Sequence, residues 1–201
     1  MSKTAPAQAA LSLARRLGVL RVRDAMSAGI HPEVLRRLVA AGKLTKTGRG
    51  MYAAVSTDSS EHASLAHAAA RVPSGVICLL SALAYHGIGT QMPHEVWMMI
   101  DTRAHKPRVD HPPMRFVRGS GSTFEAGVRE VKIDGRSVRL FEPAKTVVDC
   151  FIYRRHVGLE VALEALRESL RQRRCKPAEI DRYASLCGVV TVVRPYLEAI
   201  A

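Results

Sequence analysis

Apolar positions in the first 55 residues recur at helical spacing three times and then give way to short strands. Leu11, Leu13, Ala14, Leu17 and Leu20 predict a first helix that ends near Gly18. Val22, Ala25 and Met26 mark the apolar side of a second, short helix over 21–28, and Gly29 supplies the turn. A third helix starts at His31-Pro32, where proline needs no N–H partner and presets φ, and it closes at Ala41-Gly42. Residues 43–45 and 51–55 predict two short strands around Lys46-Thr47-Gly48-Arg49-Gly50, a turn whose glycines tolerate positive φ. Three helices followed by a hairpin, in that order, predict a winged helix-turn-helix domain over 9–57.

The pattern changes beyond that point. Asp58 and Glu61 have capping-box spacing ahead of an Ala-rich helix that ends near Arg71. After the break at Pro73-Ser74-Gly75, residues 76–86 read as a short apolar segment and a helix. Residues 96–100 predict a buried strand, 102–113 an exposed loop and 114–118 a further strand. Residues 128–133 and 137–141 alternate around Asp134-Gly135, a hairpin signal. The remainder predicts helices over about 143–153, 159–173, 178–187 and 190–200. The predicted fold class is therefore α+β: the winged helix-turn-helix, then an α/β domain over 58–201 with a small mixed sheet and a helical C-terminal tail.

Charge sharpens this division. The chain carries a net +12, with 47% hydrophobic residues, enough for a packed core. Residues 1–55 hold ten basic groups against two acidic ones, whereas residues 56–201 hold 20 against 16. Most of the excess sits on the first quarter of the chain, as expected if that domain bears a phosphate-binding face. No apolar stretch of about 18 residues is present to span a membrane, and no signal-peptide pattern opens the chain, so a cytoplasmic protein is expected. The four cysteines have no CxxC spacing, and a zinc ribbon or redox pair is not expected.

Candidate chemistry lies first on the third helix. Val34, Leu35, Leu38 and Val39 form its apolar side, while Glu33, Arg36, Arg37 and Ala40 fall on the opposite face. Such a helix can dock on a core and still enter a major groove, where arginine reads guanine O6 and N7. Lys46 and Arg49 at the wing can reach the backbone or a narrow minor groove. Arg15, Arg16, Arg21 and Arg23 add phosphate contacts, and His31, Lys43 and Thr47 complete the candidate DNA-binding set.

The second domain offers weaker signals. Glu130-x-Lys132 with Asp101 or Asp110 has the residue types of a metal-dependent nuclease, but the same alternation suits a solvated strand face. His62 and His67 stand about 140° apart on a helix, and His105 and His111 lack cysteine ligands nearby, so no metal or cofactor is expected. Lys145 and Asp149 are spaced to pair on a helix beside Thr146, either as a surface ion pair at a helix start or as a functional polar cluster. Arg167, Arg171, Arg173, Arg174 and Lys176 form a late basic run, a solvated face or an auxiliary DNA contact. No catalytic residue is expected.

Three segments resemble one known family. Leu38-Val39-Ala40-Ala41-Gly42-Lys43-Leu44 followed by Gly48-Arg49-Gly50-Met51-Tyr52 is similar to the winged helix of AbiEi-type antitoxins, as are 80–88 (LSALAYHGI) and 141–150 (FEPAKTVVDC). Lys145-Thr146 stands where that family usually has Arg-Thr. The resemblance implies an antitoxin that represses its own operon at inverted repeats. It also implies a nucleotidyltransferase-like toxin, counteracted without obligatory direct contact. On that reading Lys145, Thr146 and Asp149 serve the antitoxin function. Two other readings compete: a ligand-responsive transcriptional regulator without a toxin partner, and a nuclease using Asp101, Glu130 and Lys132.

Overall fold

The computed structural model describes residues 4–55, 61–109 and 111–200. The expected domain boundary at 57/58, the Asp58 cap and Asp110 lie outside the described residues. The chain divides into two compact units. One comprises Met1–Pro73 with Val109–Pro112 and Val131–Val138; the other comprises Ser74–Arg108, Pro113–Glu130 and Arg139–Ala201.

The first unit opens with α1 (Thr4–Leu17), β1 (Val19–Arg21), α2 (Val22–Ser27) and α3 (Pro32–Ala40). The wing follows as β2 (Leu44–Gly48) and β3 (Met51–Ala54), and then α4 (Ala63–Arg71). The apolar positions read from the sequence converge: Leu13, Ala14, Leu20, Ala25, Val34, Leu35, Leu38, Leu44 and Tyr52 make one core. Gly42 (φ +66°) ends α3, with the Lys43 amide donating to the Leu38 carbonyl at 2.9 Å.

One local expectation fails. Leu20 fits the spacing of α1, yet Gly18 (φ +66°) ends that helix and Val19–Arg21 becomes a strand. It pairs antiparallel with β3, giving the sheet order β1-β3-β2. The pairing uses both faces of β1. Leu20 enters the helical core, while Val19 meets Met51 and Ala70 of α4 on the other side.

A distant segment completes this unit. The tip at Asp134-Gly135 belongs to it, and a Cβ on Gly135 (φ +75°) would fall 1.5 Å from the Arg16 carbonyl oxygen. Arg136 pairs with Asp24 at 3.4 Å and donates to the Val19 carbonyl.

The second sheet contains β4 (Val76–Ile77), β5 (Val96–Asp101), β6 (Met114–Gly119), β7 (Val128–Ile133) and β8 (Arg136–Phe141). Its order is β6-β5-β4-β8-β7. It is mixed, as expected: β4 runs antiparallel to β5 and parallel to β8, and β5 is parallel to β6. The helices are α5 (Leu79–His86), α6 (Ser122–Glu125), α7 (Pro143–Ile152), α8 (Arg154–Val157), α9 (Leu159–Arg171), α10 (Pro177–Leu186) and α11 (Val190–Ile200). The architecture is α+β with a helical C-terminal segment, and α7 sits at its centre, packed against α5, α9, α10 and α11. Among the described residues no helix is long and apolar enough to cross a membrane.

Candidate nucleic-acid interface

The third helix separates its faces as its sequence requires. Val34, Leu35 and Leu38 are buried, while His31, Glu33, Arg36, Arg37 and Ala40 are exposed. His31 is the N-cap, its Nδ1 accepting from the Glu33 amide at 3.2 Å. Arg36 pairs with Glu33 at 3.2 Å across one turn, but its side chain is 74% exposed, so the pair is weakly held and can open toward a ligand.

The wing presents Lys46 and Arg49 to solvent. A bulge between Lys46 and Gly48 shifts the register of β2 against β3, and Gly50 (φ +69°) closes the turn. The Val22 amide donates to the Gly50 carbonyl at 2.9 Å, tying the turn to the start of α2.

Other candidates divide. Arg15, Arg16, Arg23 and Lys43 are exposed. Arg21 and Thr47 are half-buried instead. The Arg21 guanidinium points to the Ala69 carbonyl at 3.5 Å, and its pKa lies below its ordinary value because of burial and the nearby Arg23 and Arg136. The sheet has two covered faces, and the sequence did not show that α4 covers the second. The signal was there in part: Val19 and Arg21 share a face, and Val19 is apolar.

Residues 8–55 match the family model described as transcriptional regulator, AbiEi antitoxin. Over these residues the head is similar to that family. A solved structure, that of the RV2827C protein from Mycobacterium tuberculosis, aligns with 98% of this chain and 80% of its own length. The TM-score is 0.61 at 15% identity, a likeness of fold. No curated relative matches the chain.

In the second unit, most of the segment 141–150 lies in the central helix α7. Lys145 and Asp149 do pair, Nζ to Oδ1 at 2.6 Å, but both side chains are 0% exposed, so this is no surface ion pair. Lys145 also donates to the Thr123 carbonyl at 3.0 Å and lies 4.1 Å over the Phe141 ring. Thr146 donates back to the Glu142 carbonyl at 2.9 Å, and Asp149 Oδ2 is buried without a hydrogen-bond partner. Burial pushes the Asp149 carboxyl up to about 6, against the pull of Lys145. The surrounding helices cause this burial, since every residue from 144 to 151 is covered.

The segment 80–88 is structural as well. Ser81 Oγ accepts from the Trp97 amide at 2.9 Å, and His86 Nε2 meets the Phe141 carbonyl at 2.8 Å. One residue that sequence reasoning passed over is Glu142. It accepts from Tyr183, pairs with Arg129 at 2.8 Å and lies 3.6 Å from Arg182.

The nuclease residues do not assemble. Asp101 is on β5 and Glu130 on β7, with β4 and β8 between them. That is about 14 Å at ordinary strand spacing, far beyond a shared metal. Lys132 shares the β7 strand with Glu130. Among the described residues no three His, Cys, Asp or Glu gather as a metal site. The late basic run lines a depression of about 660 Å³ through Arg167, Arg171, Arg173 and Lys176, beside Leu170 and Ile200. Arg171 there is held by Glu168 at 2.6 Å.

Proposed function

We propose that this chain is an antitoxin and transcriptional autorepressor of a toxin–antitoxin operon. Operator DNA, with inverted repeats, is held by α3 and the wing. One observation carries the reading: Arg36 and Arg37 stand exposed on α3, opposite a fully packed apolar face and beside a wing that carries Lys46 and Arg49. Arg15, Arg16, Arg23 and Lys43 supply phosphate contacts around it. The C-terminal domain counteracts a nucleotidyltransferase-like toxin and catalyses no reaction. The AbiEi description of residues 8–55 supports this assignment.

The test is a mobility-shift titration on the duplex upstream of the gene. Arg36→Ala with Arg37→Ala should abolish binding while leaving thermal unfolding unchanged, because neither side chain is packed. Near-unchanged affinity at low salt would refute the recognition face. Co-expression with the neighbouring gene tests the antitoxin half: loss of growth rescue on deleting residues 74–201 is the expected result.

A further inference from the structure

Arg71 and Gly48 meet beside the wing turn. A Cβ at Gly48 would lie 3.0 Å from Arg71 Cζ and Nη2 and 3.3 Å from Nη1, so the guanidinium faces the space that glycine leaves open. Gly48 is not among the glycines with positive φ. An added Cβ here would press on the guanidinium, which would have to give by a few tenths of an ångström.

The register extends the feature. Gly48 pairs with Met51, and Met51 pairs with Arg21. This row crosses the sheet from Arg21 to the residue beneath Arg71, a span of about 10 Å. Arg21 reaches the Ala69 carbonyl, and Arg71 occupies the last turn of α4, the end of a helix that favours cations.

These cations are underused. The Nε atoms of Arg21, Arg71 and Arg136 and the hydroxyl of Thr47 are buried without hydrogen-bond partners. Of the five such atoms among the described residues, these four fall in the first unit. A guanidinium N–H can only donate, and its strongest acceptors are the oxygens of carboxylates and phosphates. Asp24 already serves Arg136 and Arg23.

We propose that Arg71, with Thr47 next to Gly48 in the strand and Arg21 at the far end of the same cross-strand row, forms a phosphate-binding site at the base of the wing. It takes the cationic surface beyond residues 8–55 and onto α4. The inference rests on the nucleic-acid reading above, and its phosphate is a backbone diester or a free phosphate.

Three proteins test it: the full chain, Arg71→Ala and Gly48→Ala. Binding to the duplex upstream of the gene is titrated at about 50 and 200 mM salt. One lost phosphate contact lowers the salt slope by about 0.9, so the wild-type advantage over Arg71→Ala should shrink about 3.5-fold across that range. Gly48→Ala displaces the guanidinium without changing charge and should weaken binding in the same direction. This variant keeps the test open if Arg71→Ala unfolds. Inorganic phosphate is titrated separately, read by thermal unfolding. Stabilisation of the wild type that Arg71→Ala lacks would assign the site to free phosphate. Equal salt slopes with no phosphate effect would overturn the site while leaving the DNA reading standing. A wild type that binds no duplex would instead overturn the proposed function, and the phosphate titration would still decide the site.

Discussion

Removing both halves of the Lys145–Asp149 pair is expected to destabilise the second unit by much less than the sum of removing each half alone. At 2.6 Å the two charges attract by roughly 6 kcal/mol at an effective dielectric of about 20. Dehydrating each ion costs several kcal/mol, so the intact pair stands near break-even. A single substitution, Lys145→Met or Asp149→Leu, strands one buried charge and should cost about 3–5 kcal/mol. The double variant removes both charges and should cost less than the sum of the singles by at least about 2 kcal/mol. Lys145→Met also leaves the Thr123 carbonyl unmet, a loss of about 1 kcal/mol that persists in the double variant. Trp97 is the only tryptophan and sits on β5, so its fluorescence in urea reports the second unit. Additivity within about 0.5 kcal/mol would refute the argument. The same variants separate two roles. A folded double variant that still counteracts the toxin makes the pair structural, and one that folds but fails makes it functional.

Three further outcomes follow from particular groups. Arg49→Ala, at the exposed wing turn, should flatten the salt dependence of duplex binding by about one phosphate contact, and an unchanged slope would remove Arg49 from the interface. Gly135→Ala should destabilise the first unit by more than about 2 kcal/mol, since positive φ alone costs a non-glycine residue about 1–2 kcal/mol and its Cβ would overlap the Arg16 carbonyl. A melting temperature within 1 °C of wild type would sink that account. Finally, native Asp149 holds its proton more tightly than unfolded Asp does, because burial raises its pKa to about 6. Stability relative to the double variant should therefore rise as pH falls from above 6 toward 4. Urea midpoints at about pH 7.5 and 4.5 measure this, and a gap that widens toward high pH contradicts it.

Much of the chain beyond residue 73 is legible as pattern because its elements are long or strictly alternating. The strands over 128–133 and 136–141 and the helices α7, α9, α10 and α11 begin and end within about two residues of where periodicity places them. Burial is harder to read. The i, i+4 spacing of Lys145 and Asp149 announces a pair, but ordinary helices show such pairs to water. Only the helices packed around α7 exclude solvent from both ends, and no local window contains them. The strand β1 escaped for a related reason. Three residues carry no period, and Val19–Arg21 is extended because β3 stands beside it.

The same distinction explains why Arg71 was passed over. The match to the AbiEi model ends at residue 55, where the head can be described by local signals: a helix capped by His31, a glycine stop and a two-glycine turn. The physical unit does not end there. Its sheet has a second face, closed by Ala70 and edged by Arg71, and its α1–β1 corner is met by Asp134 and Gly135 from more than a hundred residues away. A glycine at position 48 reads locally as a turn residue. With Arg71 upon it, it becomes a seat for a cation beside the wing, and the charge excess of the head then extends past the segment that the family model describes.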